Sequence, residues 1–175
     1  MKRFLILVAV VVLVISLSSC SSPERLLNFP FDPAGRSLNS PASELMPHLA
    51  SRYVVFVSDR DGSQDIYLFD ATERRLINLP GLNQLDAIAS HPTISEDGRS
   101  IVFAASRQGE SHIYLYDRET RQLRNLTENL RAEVKNPIIS ADGSTIAFES
   151  SANGQWDILI YSRSGQLLDI PMAPQ

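Results

Sequence analysis

The chain has 175 residues, a formal net charge of −4 and one cysteine. A mildly acidic chain with scattered charges lacks the basic patch that nucleic-acid binding requires, so we expect no nucleic-acid partner. A single cysteine excludes an intrachain disulfide. With 43% hydrophobic and 21% charged residues, the composition is that of a globular protein.

The N-terminus has the features of an export signal. Lys2 and Arg3 precede the mostly apolar run 4–17. That run is shorter than the roughly 20 residues that a permanent transmembrane helix needs, and its length is typical of a signal peptide. We therefore assign residues 1–19 as a signal peptide.

The signal ends in Leu-Ser-Ser-Cys at residues 17–20, which resembles the bacterial lipobox. The resemblance implies acylation of Cys20, with palmitate among the expected chains, and a lipid-anchored protein of the cell envelope that faces the periplasm. Ser21 follows the cysteine where an aspartate would imply the inner membrane, so the outer membrane is favoured. An ordinary signal peptide and an uncleaved anchor remain the alternatives.

Residues 20–44 are predicted to be the lipidated cysteine and a flexible tether. Prolines break both helices and central strands. Four prolines occur in this segment, at positions 23, 30, 33 and 41.

From about residue 45 the sequence repeats itself. Residues 54–80 and 101–127, at an offset of 47, are identical at 12 of 27 positions. Residues 92–117 and 137–162, at an offset of 45, are identical at 11 of 26. A period in the forties with strand-like segments is typical of propeller blades.

Each repeat holds four short apolar stretches, which in the second repeat are 92–95, 101–104, 113–116 and 123–126. Several are apolar on both faces, as strands between two neighbouring blades are. Asp-Gly pairs at 97–98 and 142–143 supply tight hairpin turns. The prediction is an all-β, propeller-type fold of three four-stranded antiparallel blades over 45–175, with repeats at about 45–95, 96–140 and 141–171.

The second repeat carries a family resemblance. His-Pro-Thr-Ile-Ser-Glu-Asp-Gly-Arg-Ser-Ile-Val-Phe at 91–103, Ile-Tyr-Leu-Tyr-Asp at 113–117 and Arg-Asn-Leu-Thr at 124–127 are together similar to the repeat of TolB-type, WD40-like β-propellers. That family has six blades and a separate N-terminal domain, for which residues 21–44 are too short. The resemblance therefore implies the fold and does not imply membership of the Tol–Pal system.

Three blades are fewer than the four to eight of typical closed propellers. An open arc leaves two blade faces uncovered. Two copies related by a two-fold axis would complete six blades, so a homodimer is one expectation. Tight closure of three blades and a different partner on the free faces are the others.

No pattern indicates catalysis. Acidic residues alternate in the loop 59–65 as in calcium sites, but the equivalent loops at 106–112 and 151–157 do not keep them, so a hairpin is favoured. The three histidines lack metal-ligand spacing. The Gly-x-Ser-x-Gly motif of propeller-bearing serine peptidases is missing from the sequence. We predict no enzyme activity, no metal and no cofactor.

The turns between second and third strands are expected to share one face of the propeller. Trp156 stands where the other repeats have Gln64 and Ser111, and an exposed tryptophan is a frequent contact anchor. Packing of Trp156 on the adjacent blade or on the tether is the alternative. Four further residues are predicted to contact a partner on this face: Arg60, Asp61, Arg107 and Asn153.

The functional prediction is a non-catalytic lipoprotein of the cell envelope whose propeller repeats bind another protein, for which another envelope protein is expected. The alternative is recognition of a glycan or a small ligand on the loop face.

Overall fold

The computed structural model describes residue 32 and residues 34–169. Within them, eleven strands form three antiparallel sheets, each built from strands that follow one another in the chain. The first sheet contains β1 (Glu44–Ala50), β2 (Tyr53–Ser58), β3 (Asp65–Asp70) and β4 (Arg75–Ile77). The second contains β5 (Ile88–Ile94), β6 (Ser100–Arg107), β7 (Glu110–Asp117) and β8 (Gln122–Asn125). The predicted signal peptide, Cys20 and the tether up to residue 31 lie outside the described residues.

The third sheet has three strands, β9 (Val134–Ile139), β10 (Thr145–Ser150) and β11 (Asp157–Ser162). Its predicted fourth strand is reduced to one bridge between Leu167 and Tyr161. The all-β prediction is confirmed, with two blades of four strands and a third of three strands and a bridge.

The three blades pack face to face because alternate residues of each strand point to opposite sides. Apolar residues of β2 and β3 pack against β6 and β7 in one cluster, which includes Val55, Ile66 and Phe103. The opposite face of the second blade packs against the third blade in a second cluster, which includes Ile113 and Phe148. Burial of each large side chain contributes about 1.5–3 kcal/mol, so these two interfaces are the core.

The Asp-Gly turns fix the spacing between blades. Gly98 has φ +70°, and a Cβ at that position would lie 2.2 Å from the ring of Tyr53 in the first blade. The Glu96 N–H donates to the carbonyl of Ala141, 2.9 Å away, in the equivalent turn of the third blade. Glycine is therefore required at 98 both by the backbone conformation and by the close approach of a neighbouring blade.

The innermost strands repeat an unusual backbone conformation. Met46, His91 and Asn136 occupy equivalent positions, and each has a positive φ, of 52°, 48° and 51°. A proline follows each of them, and the register of each inner strand shifts at this point. Bulges and prolines keep an exposed strand edge from pairing with another strand, so this element protects the inner edge of every blade.

Residues 34–44, which we call the N-terminal cap, are bound to the first blade by Arg60. Its guanidinium donates to the carbonyls of Gly35, Ser37 and Leu38 at 3.0–3.1 Å and pairs with Glu44 at 2.9 Å. This part of the predicted tether is thus in contact with the first blade, through an arginine of the next hairpin.

Arg60 also contacts the outer face of the first blade. Its guanidinium carbon lies 5.2 Å from the ring centroid of Phe56 and 4.7 Å from that of Tyr67. These rings point away from the second blade, because they alternate with residues of the first core cluster. The arginine therefore joins the cap to the aromatic residues of this face.

We expect Arg60→Ala to lower the free energy of unfolding by about 3 kcal/mol, because it leaves a mostly buried Glu44 and three carbonyls without their donor. Hydrogen exchange in residues 34–43 should rise with it. The matched control is Arg107→Ala, since Arg107 is 63% exposed and lies 3.7 Å from Asp86; its effect should stay within about 0.5 kcal/mol. Equal effects of the two substitutions in urea unfolding would contradict the assigned role of Arg60.

Candidate protein-binding face

The two ends of the three-blade arc differ in exposure. On the outer face of the first blade, Phe56 is only 1% exposed, and Phe69 is also buried. On the outer face of the third blade, Ile138 and Ile158 are more than half exposed. The central strands of the first blade are therefore covered on this face, whereas Leu49 on β1 of the same face is 66% exposed and the third blade leaves Ile158 of its outermost strand exposed.

The internal repeat shows why the open end is unusual. Ile66, Ile113 and Ile158 occupy the same position of the three repeats, and each points toward the following blade. Ile66 is 1% exposed and Ile113 is fully buried, whereas Ile158 is 63% exposed. The third blade thus presents the surface that a following blade covers in the other two.

We call this surface the terminal face. Its residues lie in register on the three strands of the third blade, and they are Lys135, Ile138, Ala147, Glu149, Ile158 and Ile160. Exposed apolar patches of this kind mark interaction sites in soluble proteins.

The terminal face departs from the other blades at its centre. Glu149 stands where the earlier repeats have Val57 and Ala104. The Lys135 Nζ lies 3.3 Å from the Glu149 Oε2, and the Asn136 Nδ2 donates to the Oε1 at 2.9 Å. The Asn136 hydrogen bond, and then Lys135, hold the pKa of Glu149 below its ordinary value. An ion pair thus occupies a position that is apolar elsewhere in the repeat.

Trp156 lies at the edge of the terminal face. Its side chain is 46% exposed, and the Lys135 Nζ lies 3.7 Å from its ring centroid. This cation–π contact fixes the ring beside the ion pair and leaves about half of it accessible. Contact between Trp156 and a partner stays a prediction, and the structure shows that Trp156 lies at the edge of the terminal face.

The other predicted contact residues belong to separate turns. Asp61 accepts a hydrogen bond from the Tyr67 hydroxyl at 2.6 Å, and burial together with this contact raises the pKa of Tyr67. Asn153 donates to Asp157 at 3.2 Å, and Arg107 is exposed beside Asp86.

Arg60 was predicted to contact a partner, but its place in the structure favours a role in holding the N-terminal cap. Its side chain is 6% exposed, and its guanidinium is bound to the N-terminal cap. A partner would have to displace the cap to reach it.

A groove of about 270 Å³ runs along the inner strands, where Met46, His48, His91 and Pro137 are among its lining residues. Burial lowers the pKa of His48, which favours the neutral imidazole. In the part of the chain that the structure describes, no group of three His, Cys, Asp or Glu side chains is placed to hold a metal ion. No helix there is long and apolar enough to cross a membrane.

Sequence reasoning missed Ile138 and Ile158. Both belong to stretches that the repeat predicts as buried strands, and Ile66 and Ile113, the equivalents of Ile158, are buried. The number of repeats could have revealed this exposure. Ile158 is the last copy of the position that Ile66 and Ile113 occupy, and no blade follows it among the described residues.

Known structures share this architecture. TolB from Acinetobacter baumannii matches with a TM-score of 0.59 and 26% identity, over 74% of this chain and 32% of that chain. A putative TolB from Agrobacterium tumefaciens matches with a TM-score of 0.54 and 25% identity, over 70% and 43%. The β-propeller domain of the trilobed protease from Pyrococcus furiosus matches at 0.55 and 18% identity, over 73% and 42%, which shows the fold alone.

The chain spans less than half the length of each of these structures. A comparison with curated proteins gives no match. The family model described as "TolB beta propeller domain" matches residues 42–170, which are more than half of the chain. Together with the repeated strands, the Asp-Gly turns and the packed blades, this match establishes that the chain belongs to the TolB beta propeller domain family.

Proposed function

We propose that this protein is a non-catalytic lipoprotein of the cell envelope that binds another protein through the terminal face of its third blade. The observation that carries the proposal is the exposure of Ile158, at a repeat position where Ile66 and Ile113 are buried by the next blade. Covering such an exposed apolar surface with a protein partner removes it from water, which lowers the free energy of the system.

The composition of the terminal face supports a protein partner. Protein interfaces combine apolar residues and aromatic anchors with a few polar groups that fix orientation. Ile138 and Ile158 supply the apolar surface, Trp156 the aromatic anchor, and the Lys135–Glu149 pair the polar group. The loop-face residues Asp61 and Asn153 are bonded within their own turns, which favours a structural role for them over an acid–base role.

We expect Cys20 to determine the place of the protein in the cell. Acylation there would anchor the propeller to a membrane surface and keep it on the periplasmic side, with the outer membrane favoured by Ser21. Mass spectrometry of the mature N-terminus tests this directly. We expect an acylated Cys20 as the first residue, and a protein that retains residues 1–19 would contradict the anchor.

A photo-crosslinking residue tests the binding face. We expect p-benzoylphenylalanine at position 156 to give a discrete protein adduct in the bacterial cell, because an aromatic residue is retained at the predicted anchor. The measurement is the mass shift of the protein on an immunoblot after irradiation.

The matched control places the same residue at Leu49, which is 66% exposed and lies on β1 at the other end of the arc. The adduct should be missing there, and it should weaken at position 156 when Ile158→Asp makes the face polar. Identical adducts at 156 and 49 would contradict the proposed face.

A further inference from the structure

We propose that a second copy of this chain occupies the terminal face, so that two arcs pair through their third blades about a two-fold axis. This inference rests on the proposed function and deepens it by naming the partner. It is carried by the charge arrangement of the face and by the position of Arg60 and the N-terminal cap over the central strands at the opposite end of the arc.

Strand register divides the terminal face into two rows. Ile138, Ala147 and Ile160 are paired across the three strands and form an apolar row. Lys135, Glu149 and Ile158 are paired in the same way and form a row with one cation, one anion and one apolar side chain. The face therefore combines an apolar strip with a charge pair of zero net charge.

A face with one positive and one negative group side by side is self-complementary. A two-fold axis between them places Lys135 of each copy opposite Glu149 of the other, so each charge gains a second opposite partner. The whole chain carries a net charge of −4, so two copies of it repel one another. A neutral apolar patch is the surface on which two such copies approach at the lowest electrostatic cost.

A regular fourth blade fits the terminal face less well. In the first two blades the position of Glu149 is held by Val57 and Ala104, which are buried against the next blade. An apolar blade on Glu149 would bury the ion pair without adding a partner to it, and the desolvation penalty then opposes packing. The two-fold pair adds that partner.

The two-fold pair differs from the six-bladed ring predicted from sequence. A ring of two copies requires the third blade of one copy to pack on the outer face of the first blade of the other. The part of that face around Phe56 is covered, since Phe56 lies under Arg60 and Arg60 holds the N-terminal cap, and only its edge at Leu49 is exposed. Completion of six blades stays a prediction, and it requires release of the cap.

Charge exchange on the face tests the inference. The mature protein, purified in detergent, should form dimers in sedimentation velocity, with the detergent contribution matched by density. Lys135→Glu leaves two acidic groups on the face, and Glu149→Lys leaves two basic ones. Each substitution alone should weaken self-association at least about tenfold, because like charges then meet across the axis.

An equimolar mixture of Lys135→Glu and Glu149→Lys proteins should recover the dimer, because the acidic face of one meets the basic face of the other. The double variant Lys135→Glu/Glu149→Lys should also recover it. Leu49→Asp, at an exposed site away from the face, should leave the dimer constant unchanged. Circular dichroism checks that all variants are folded.

A wild-type protein that stays monomeric at about 100 µM, where even a weak dimer would be populated, overturns the inference. A mixture that stays monomeric while the wild type dimerises overturns it as well. So does a dimer that forms only after Arg60→Ala releases the cap, since that result favours the ring. If the protein is monomeric while position 156 still crosslinks to a different protein, the inference fails and the proposed function stands; if position 156 gives no adduct either, both fail.

Discussion

A blade whose strands are apolar on both faces needs a neighbour on each side, and this requirement governs the whole molecule. The second blade meets it, because its two faces pack into the two core clusters. The first and third blades each have one face without a neighbouring blade among the described residues. The two faces differ at their second and third strands, which are covered in the first blade and exposed at Ile158 in the third blade, and the proposed function rests on that difference.

The central strands of the first blade are covered by the chain itself, while Leu49 on β1 stays exposed. Arg60 lies over Phe56 and Tyr67 and binds the carbonyls of the N-terminal cap. The third blade stays open, with Ile158 exposed and Glu149 in place of a buried apolar residue.

Local patterns predicted most of the fold. The apolar stretches and the Asp-Gly pair at 97–98 determine strands and turns within a few residues, so the repeat count and blade order followed from the sequence. The exposure of Ile158 and the burial of Arg60 did not, because both depend on residues far away in the chain or on a missing neighbour. Arg60 in a polar hairpin has the pattern of a surface residue, and only its contacts with Gly35 and Glu44 show otherwise.

The central claim, that Arg60 and the cap cover the central strands of the first blade while the third blade is open at Ile158, is tested most directly by hydroxyl-radical footprinting of the protein at a concentration below that at which the proposed dimer would form. After correction for the intrinsic reactivity of each side chain, Trp156 and Ile158 should be oxidised fast, and Phe56 and Phe69 slowly. Equal oxidation rates for these two pairs of residues would contradict the account, since they would mean that the N-terminal cap leaves Phe56 and Phe69 as open to solvent as Trp156 and Ile158.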